Sequence, residues 1–207
     1  MIPVLLTTYN RLEYTKAALA ALLDTCEVIV IDNGSTDGTV EWLRTQEVFV
    51  ICNKENRGVA GAMNQFLSMI DSHWAGKVDN DTIVTPGWVE ALVRDALKYK
   101  LDIIQAKHHI IPEVHPQGWD GLMSTCTKVG DGVYESKFVG GSGIVFNTTL
   151  LGQLPEDGWK LGGWNRWQLA HPDVRKGFSE HTEIKLLDEA GYDKYPDYYR
   201  ETGRLRV

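Results

Sequence analysis

Strand and helix signals alternate along the first half of this 207-residue chain with almost nothing between them. An apolar run over residues 3–8 ends in polar Thr7 and Thr8. Apolar residues at helical spacing follow (Leu12, Ala17, Leu19, Ala20, Leu22, Leu23). Residues 27–31 (EVIVI) read as a buried strand stopped by Asp32-Asn33-Gly34-Ser35, with Ser35 or Thr36 as cap of a helix to about Arg44. A third strand (48–51) precedes a helix over 58–70, and a fourth strand (75–79) precedes a helix from Pro86 to about Lys100. A strand over 102–106 closes the series. Such alternation predicts an α/β fold: a mostly parallel sheet covered by helices on both faces.

The second half reads differently. Residues 108–138 hold Gly, Pro and His with short β-prone pieces and no clear helix. Residues 138–146 (FVGGSGIVF) read as a strand interrupted by glycines, where backbone approaches something closely. Residues 154–179 look like a long loop rich in Trp, Gly, His and Pro. Helical character returns over 180–190 and ends at Gly191, a suitable C-cap. The whole is expected to be one domain, with a nucleotide half over about 1–106 and a smaller, mixed acceptor half over about 107–207.

Charge and composition exclude several function classes. A formal net charge of -7 argues against a general nucleic-acid or anionic-membrane binder. No apolar segment approaches the ~20 residues of a membrane span, and residues 1–6 are too short for a signal peptide. Three scattered cysteines without metal-type spacing read as reduced residues in a cytosol-like compartment, Cys26 and Cys52 filling core space. The expected location is the cytoplasm.

Ligands of an open parallel sheet bind at the carboxyl ends of its strands. Four such ends here carry polar residues: Thr7, Thr8, Tyr9 and Asn10; Asp32 and Asn33; the stretch from Asn53 through Arg57 to Gly58; and Asp79, Asn80 and Asp81. Tyr9 offers a ring to a base, Asp32 an acceptor to a base N–H or ribose hydroxyl, and Arg57 a cationic fork. Taken singly, the same residues read as helix caps, a turn and a solvated charge. The Asp79-Asn80-Asp81 triplet crowds like charges at a strand end, and hard oxygen donors of this kind hold Mg²⁺ or Mn²⁺ together with substrate phosphates.

TTYNR, VIDNGSTDGT, NRGVAGAMN and VDNDT, followed by FVGGSGIVFN and EHTEIKLLDEAGY, resemble the family 2 glycosyltransferases of GT-A fold over roughly residues 3–192. The compact form also resembles viral enzymes that decorate capsid proteins, which would put it in a host cytoplasm. The resemblance implies inverting sugar transfer from a nucleoside diphosphate sugar, usually UDP-linked, with Mn²⁺ or Mg²⁺, to a hydroxyl on a glycan or glycoprotein. It implies uridine contacts from Thr7 and Tyr9, an acidic uracil reader at Asp32, and a nucleotide contact at Arg57. Thr8 and Asn80 fall within the same nucleotide-binding motifs. Asp79 matches the ribose or metal contact and Asp81 the metal ligand. Gly141, Ser142 and Gly143 match the segment beneath the donor sugar. The family's usual second Asp is Asn33 here, and its Glu-Asp pair is Glu180-His181.

In-line displacement needs a carboxylate to take the acceptor proton. Counting back from Gly191 assigns that base to Glu180, with Glu183 in reserve; His181 is a candidate third metal or phosphate ligand. Trp119, Trp159, Trp164 and Trp167 read either as a stacking platform for sugar, Trp164 foremost, or as anchors pinning the loop to the core. Two rival readings remain: a nucleotidyltransferase, which needs a glycine-rich basic loop after the first strand, and a non-catalytic nucleotide-sugar module, which needs no base.

Overall fold

A computed structural model describes residues 1–23, 25–109, 117–156 and 162–187. Trp159, His115 and Gly191 lie outside them. The first half alternates as its periodicity predicts: β1 (Pro3–Thr8), α1 (Leu12–Leu22), β2 (Glu27–Asp32), α2 (Thr39–Leu43), β3 (Phe49–Cys52), α3 (Gly58–Leu67), β4 (Trp74–Asp79), β5 (Thr82–Val84), α4 (Trp88–Tyr99) and β6 (Ile103–His108). Then come α5 (Gly118–Ser124), β7 (Thr127–Gly130), β8 (Val133–Ser136), β9 (Ile144–Asn147), α6 (Thr148–Leu151), α7 (Gly162–Ala170) and β10 (Lys176–Leu186).

One sheet runs through both halves in the order β3-β2-β1-β4-β9-β6-β10-β8-β7, with β5 paired to β10. Strands β3, β2, β1 and β4 are mutually parallel, so their carboxyl ends open on one edge. The alternating side chains of β1 feed two cores: Val4 and Leu6 pack with α1 and α4, Leu5 with α3 and α7. Trp88 and Phe66 are the largest fully buried apolar anchors of the two faces outside α7. Strand β9 enters antiparallel between β4 and β6 and carries the glycine-rich stretch before it to the open edge.

Several expectations are corrected. The helix expected over 180–190 is, as far as residue 186, the end of β10. EHTEIKL has apolar spacing compatible with a helix, yet Thr182 and Ile184 are buried while His181, Glu183 and Lys185 are exposed, which is the two-residue period of a strand. The pairing of β10 with β6 jumps from Ser179–Ala106 to Glu183–Lys107, leaving residues 180–182 as a bulge. The long loop of 154–179 contains α7 and the start of β10, and the segment read as helix-free contains α5 and the β7–β8 hairpin. Only residues 144–147 of the glycine-interrupted run form strand. Helix α2 starts at Thr39 because Asp32 and Asp37 both use their carboxylates on the turn before it. Cys52 is exposed on edge strand β3, while Cys26 is buried as expected.

Gly177 lies in β10 between β6 and β8, and a Cβ there would stand 2.3 Å from the Tyr134 carbonyl oxygen. Backbone on that side cannot yield as a side-chain tip does. Gly177→Ala is therefore expected to lose about 1–3 kcal/mol, read as a lower urea midpoint at unchanged slope.

Candidate active site

The open edge holds a cavity of about 340 Å³, lined by Lys77, Asp79, Asp81, Gln105, His108, Gly140, Gly141, Ser142, Trp164, Asn165 and a few apolar neighbours. Parallel register puts Thr7 beside Asp79, and its Oγ1 donates to Asp79 Oδ1 at 2.7 Å. Lys77, two residues earlier on the same face of β4, donates to the same oxygen at 2.6 Å. Asp81 is nearly enclosed; its Oδ2 accepts from Arg11 Nη1 at 3.0 Å. Each aspartate is thus held by an internal cation.

Arg11 reaches Asp81 because the chain turns sharply after β1. Asn10 and Arg11 both adopt left-handed backbone (φ 53° and 64°), a conformation that side chains other than Gly, Asn and Asp seldom take. Asn10 Oδ1 accepts from the Thr36 N–H, and its carbonyl accepts from Asn80 Nδ2. Such strain persists where surroundings over-determine it, characteristically at functional sites.

The expected site residues separate into three groups. Asp79, Asp81, Gly141, Ser142 and Trp164 line the cavity. Thr7 and Tyr9 stand at the end of β1, Tyr9 half-buried. The remainder are turned to other tasks. Thr8 and Asn80 are buried behind the edge, where Asn80 Nδ2 donates to Thr8 Oγ1 and Thr15 Oγ1 and its Oδ1 accepts from Arg11. Asp32 is fully enclosed; Oδ1 accepts from the Gly34 and Ser35 N–H groups and Oδ2 from the Ser35 hydroxyl, while burial raises its carboxyl pKa. Asn33 is buried too, donating to the Gly58 carbonyl and accepting from Asn53. Gly143 (φ 63°) turns the chain into β9 against Ile184 rather than facing the cavity.

Arg57 pairs with Glu156 at 2.9 Å, and the other Glu156 oxygen accepts from Asn64 Nδ2 at 2.8 Å. Glu180 and His181 lie outside the cavity lining because the β10 bulge sends them to opposite faces. Glu180 Oε1 accepts from Trp119 Nε1 at 2.7 Å and Oε2 from the Tyr134 hydroxyl at 3.4 Å. Trp119 in turn meets His108, a cavity residue, edge-on at 5.7 Å. His181 Nδ1 lies 2.8 Å from Asp95 Oδ2 on the α4 side, which takes it away from the aspartate rim. Trp164 and Trp167 are buried and stacked at 5.8 Å, and Trp164, while lining the cavity, is anchored through Nε1 to the Val139 and Gly140 carbonyls.

Sequence reasoning gave no site role to Arg11, Lys77 or Gln105, and it set His108 aside as structural or exposed for want of a ligand spacing. A lysine inside the apolar run before the aspartates was the one available signal. Gln105 Nε2 donates to the Ser142 carbonyl and its Oε1 accepts from the Gly140 N–H, a role no local pattern announces.

The family model for glycosyl transferase family 2 matches residues 4–141, more than half the chain. The chain belongs to glycosyl transferase family 2. An uncharacterized glycosyltransferase of Haemophilus influenzae is 28% identical over 102 residues, covering 45% of this chain and 32% of that protein. Glycosyltransferase GlyA of Streptococcus pneumoniae is 24% identical over 183 residues, covering 78% of this chain and 26% of its own length. The chain thus spans about a third of the first of these family 2 relatives and about a quarter of the second. Among solved structures, S. aureus TarS 1-349 in complex with UDP-GlcNAc superposes with a TM-score of 0.67 at 16% identity, over 89% of this chain and 58% of that one. The likeness bears out the α/β architecture of GT-A type. Among the described residues, no helix is long and apolar enough to cross a membrane.

Two expectations follow from these contacts. Arg11→Ala leaves the nearly enclosed Asp81 without its cation and should destabilise the protein by about 3–5 kcal/mol in urea unfolding, with Arg11→Lys a poor substitute for a fork on two acceptors. Hydrogen bonds from Asn64 and then Arg57 hold Glu156 below its ordinary value of 4.5. A lowered carboxylate contributes stability that is complete above that value and lost as acid takes the pH below it. The stability gap between wild type and Glu156→Gln should therefore be present at pH 7 and vanish as the medium is acidified below about 4.5.

Proposed function

We propose that this chain transfers a sugar from a UDP-linked donor to a hydroxyl of a glycan or glycoprotein, by single in-line displacement with inversion. The observation that carries the reading is the pair of aspartates lining the 340 Å³ cavity beside the glycine segment. Family membership supports sugar transfer, and the UDP-GlcNAc bound by TarS supports a uridine nucleotide. Fused Arg57–Glu156 and Asp32–Ser35 contacts must exchange for nucleotide contacts if those two residues read the donor.

The donor set suits a hard cation. Among the described residues no cluster of three or more acidic, His or Cys groups surrounds the cavity, so Asp79 and Asp81 would hold Mn²⁺ or Mg²⁺ with water and phosphate oxygens completing the shell. Bound there, such an ion would stabilise the departing diphosphate. The chain's own groups do the rest. Tyr9 offers its ring to the uracil, and the glycine segment lets the donor sugar lie against backbone. Glu180 takes the acceptor proton: its carboxylate, fixed by Trp119 and Tyr134, sits one aromatic layer from cavity-lining His108. Glu183 is the weaker choice, since its side chain is 64% exposed and 3.6 Å from Lys107.

Calorimetry with UDP and Mn²⁺, followed by donor hydrolysis over a panel of UDP-sugars, tests the reading. Asp81→Ala should abolish Mn²⁺-dependent UDP binding. Glu180→Gln should bind UDP as wild type does and lose about 10²–10⁴-fold in turnover, the usual contribution of a general base. Unchanged metal-dependent affinity in the first variant, or near-normal turnover in the second, overturns the corresponding role. Binding without any hydrolysis or transfer would make the chain a nucleotide-sugar module instead.

A further inference from the structure

Lys77 is the one fully buried lysine among the largest enclosed side chains, and it lines the cavity wall. It stands in β4 between Gly76 and Val78, paired across the sheet with Leu5 of β1 and Ile144 of β9. An ammonium in such a place is costly unless fully partnered, and a methionine would fill the same volume without that cost. Its partners show where the charge is used. Nζ donates to Asp79 Oδ1 at 2.6 Å and also to the Gly141 carbonyl. It therefore bridges the aspartate rim and the glycine segment, two neighbouring parts of the cavity lining.

The other ties on that segment come mostly from elsewhere. Gln105 of β6 holds Gly140 and Ser142, and Trp164 of α7 holds the Val139 and Gly140 carbonyls. The Ser142 hydroxyl accepts from the Asp79 N–H at 2.8 Å and so fixes the backbone of β4, whereas Lys77 and Thr7 donate to the carboxylate itself. Lys77 Nζ joins the Asp79 carboxylate directly to the Gly141 carbonyl, while Thr82 Oγ1 makes a second, side-chain link from Asp81 Oδ1 to the Ser142 hydroxyl.

We propose that Lys77 is a positioning residue of the donor site: its ammonium orients the Asp79 carboxylate and sets the gap between that carboxylate and Gly141. The inference rests on the donor reading above for its purpose and on the Lys77 contacts for its geometry. It predicts two separable effects of Lys77→Met. In the ligand-free protein, backbone hydrogen exchange of a peptide covering residues 139–143 should quicken at least tenfold, while peptides from β1 and β2 keep wild-type rates. UDP affinity in the presence of Mn²⁺ should fall at least tenfold.

Unchanged exchange over 139–143 overturns the tie. A rise in metal-dependent UDP affinity also overturns the proposal, because it would make Lys77 a counter-ion that competes with the cation. If Lys77→Met does not fold, Lys77→Met/Asp79→Asn removes both charges together, and the same quickening of 139–143 is expected. Should wild type itself bind no UDP, the donor reading falls, and the exchange measurement still decides the tie.

Discussion

Two carboxylates at the end of β4 face a cavity, and each is compensated from inside the protein, Asp79 by Lys77 and Asp81 by Arg11. Like charges this close repel each other and would otherwise need solvent or cations between them. With internal partners they stay in place without disrupting the sheet edge. The arrangement constrains much around it. Arg11 must sit in a left-handed turn to reach Asp81, Asn80 must brace that turn from behind, and the glycine segment must come close enough to meet Lys77.

The sheet order delivers these pieces together. Parallel β3, β2, β1 and β4 open their carboxyl ends on one edge, and β9, running antiparallel beside β4, brings Gly140, Gly141 and Ser142 back to that edge. Strand β10 then carries Glu180 past the site on a bulge, a device that re-aims a side chain without ending a strand. A single helix in place of β10 would not supply this geometry, since successive residues would not split between Trp119 on one face and Asp95 on the other.

The first half was legible in the sequence because its strands are apolar runs bounded by helices with clear periods, and a parallel sheet buries both faces of each strand. Asp79 and Asp81 were legible as cavity residues because motif position and strand end coincide, Gly141 and Ser142 from motif position alone, and Trp164 from its residue type. The C-terminal strand was not: EHTEIKL satisfies helical and strand periods alike over so short a window, and only pairing with β6 and β5 decides. Thr8, Asn80 and Asp32 carry polar groups suited to a ligand, yet long-range hydrogen bonds claim Thr8 and Asn80, and local bonds to Gly34 and Ser35 claim Asp32. Gln105 was invisible, and Lys77 marked only by its place in an apolar run, for the converse reason: their partners on the glycine segment lie tens of residues away.

The proposed sugar transfer requires the aspartate rim to seat a cation and a diphosphate. Crystals of the wild-type protein grown with UDP and Mn²⁺, with data collected at the manganese edge, test it most directly. An anomalous peak bonded to oxygen of Asp81, with diphosphate oxygens in its shell and uracil over Tyr9, is the predicted result. Manganese and nucleotide bound away from Asp79 and Asp81, or a cavity in which neither binds, would contradict it.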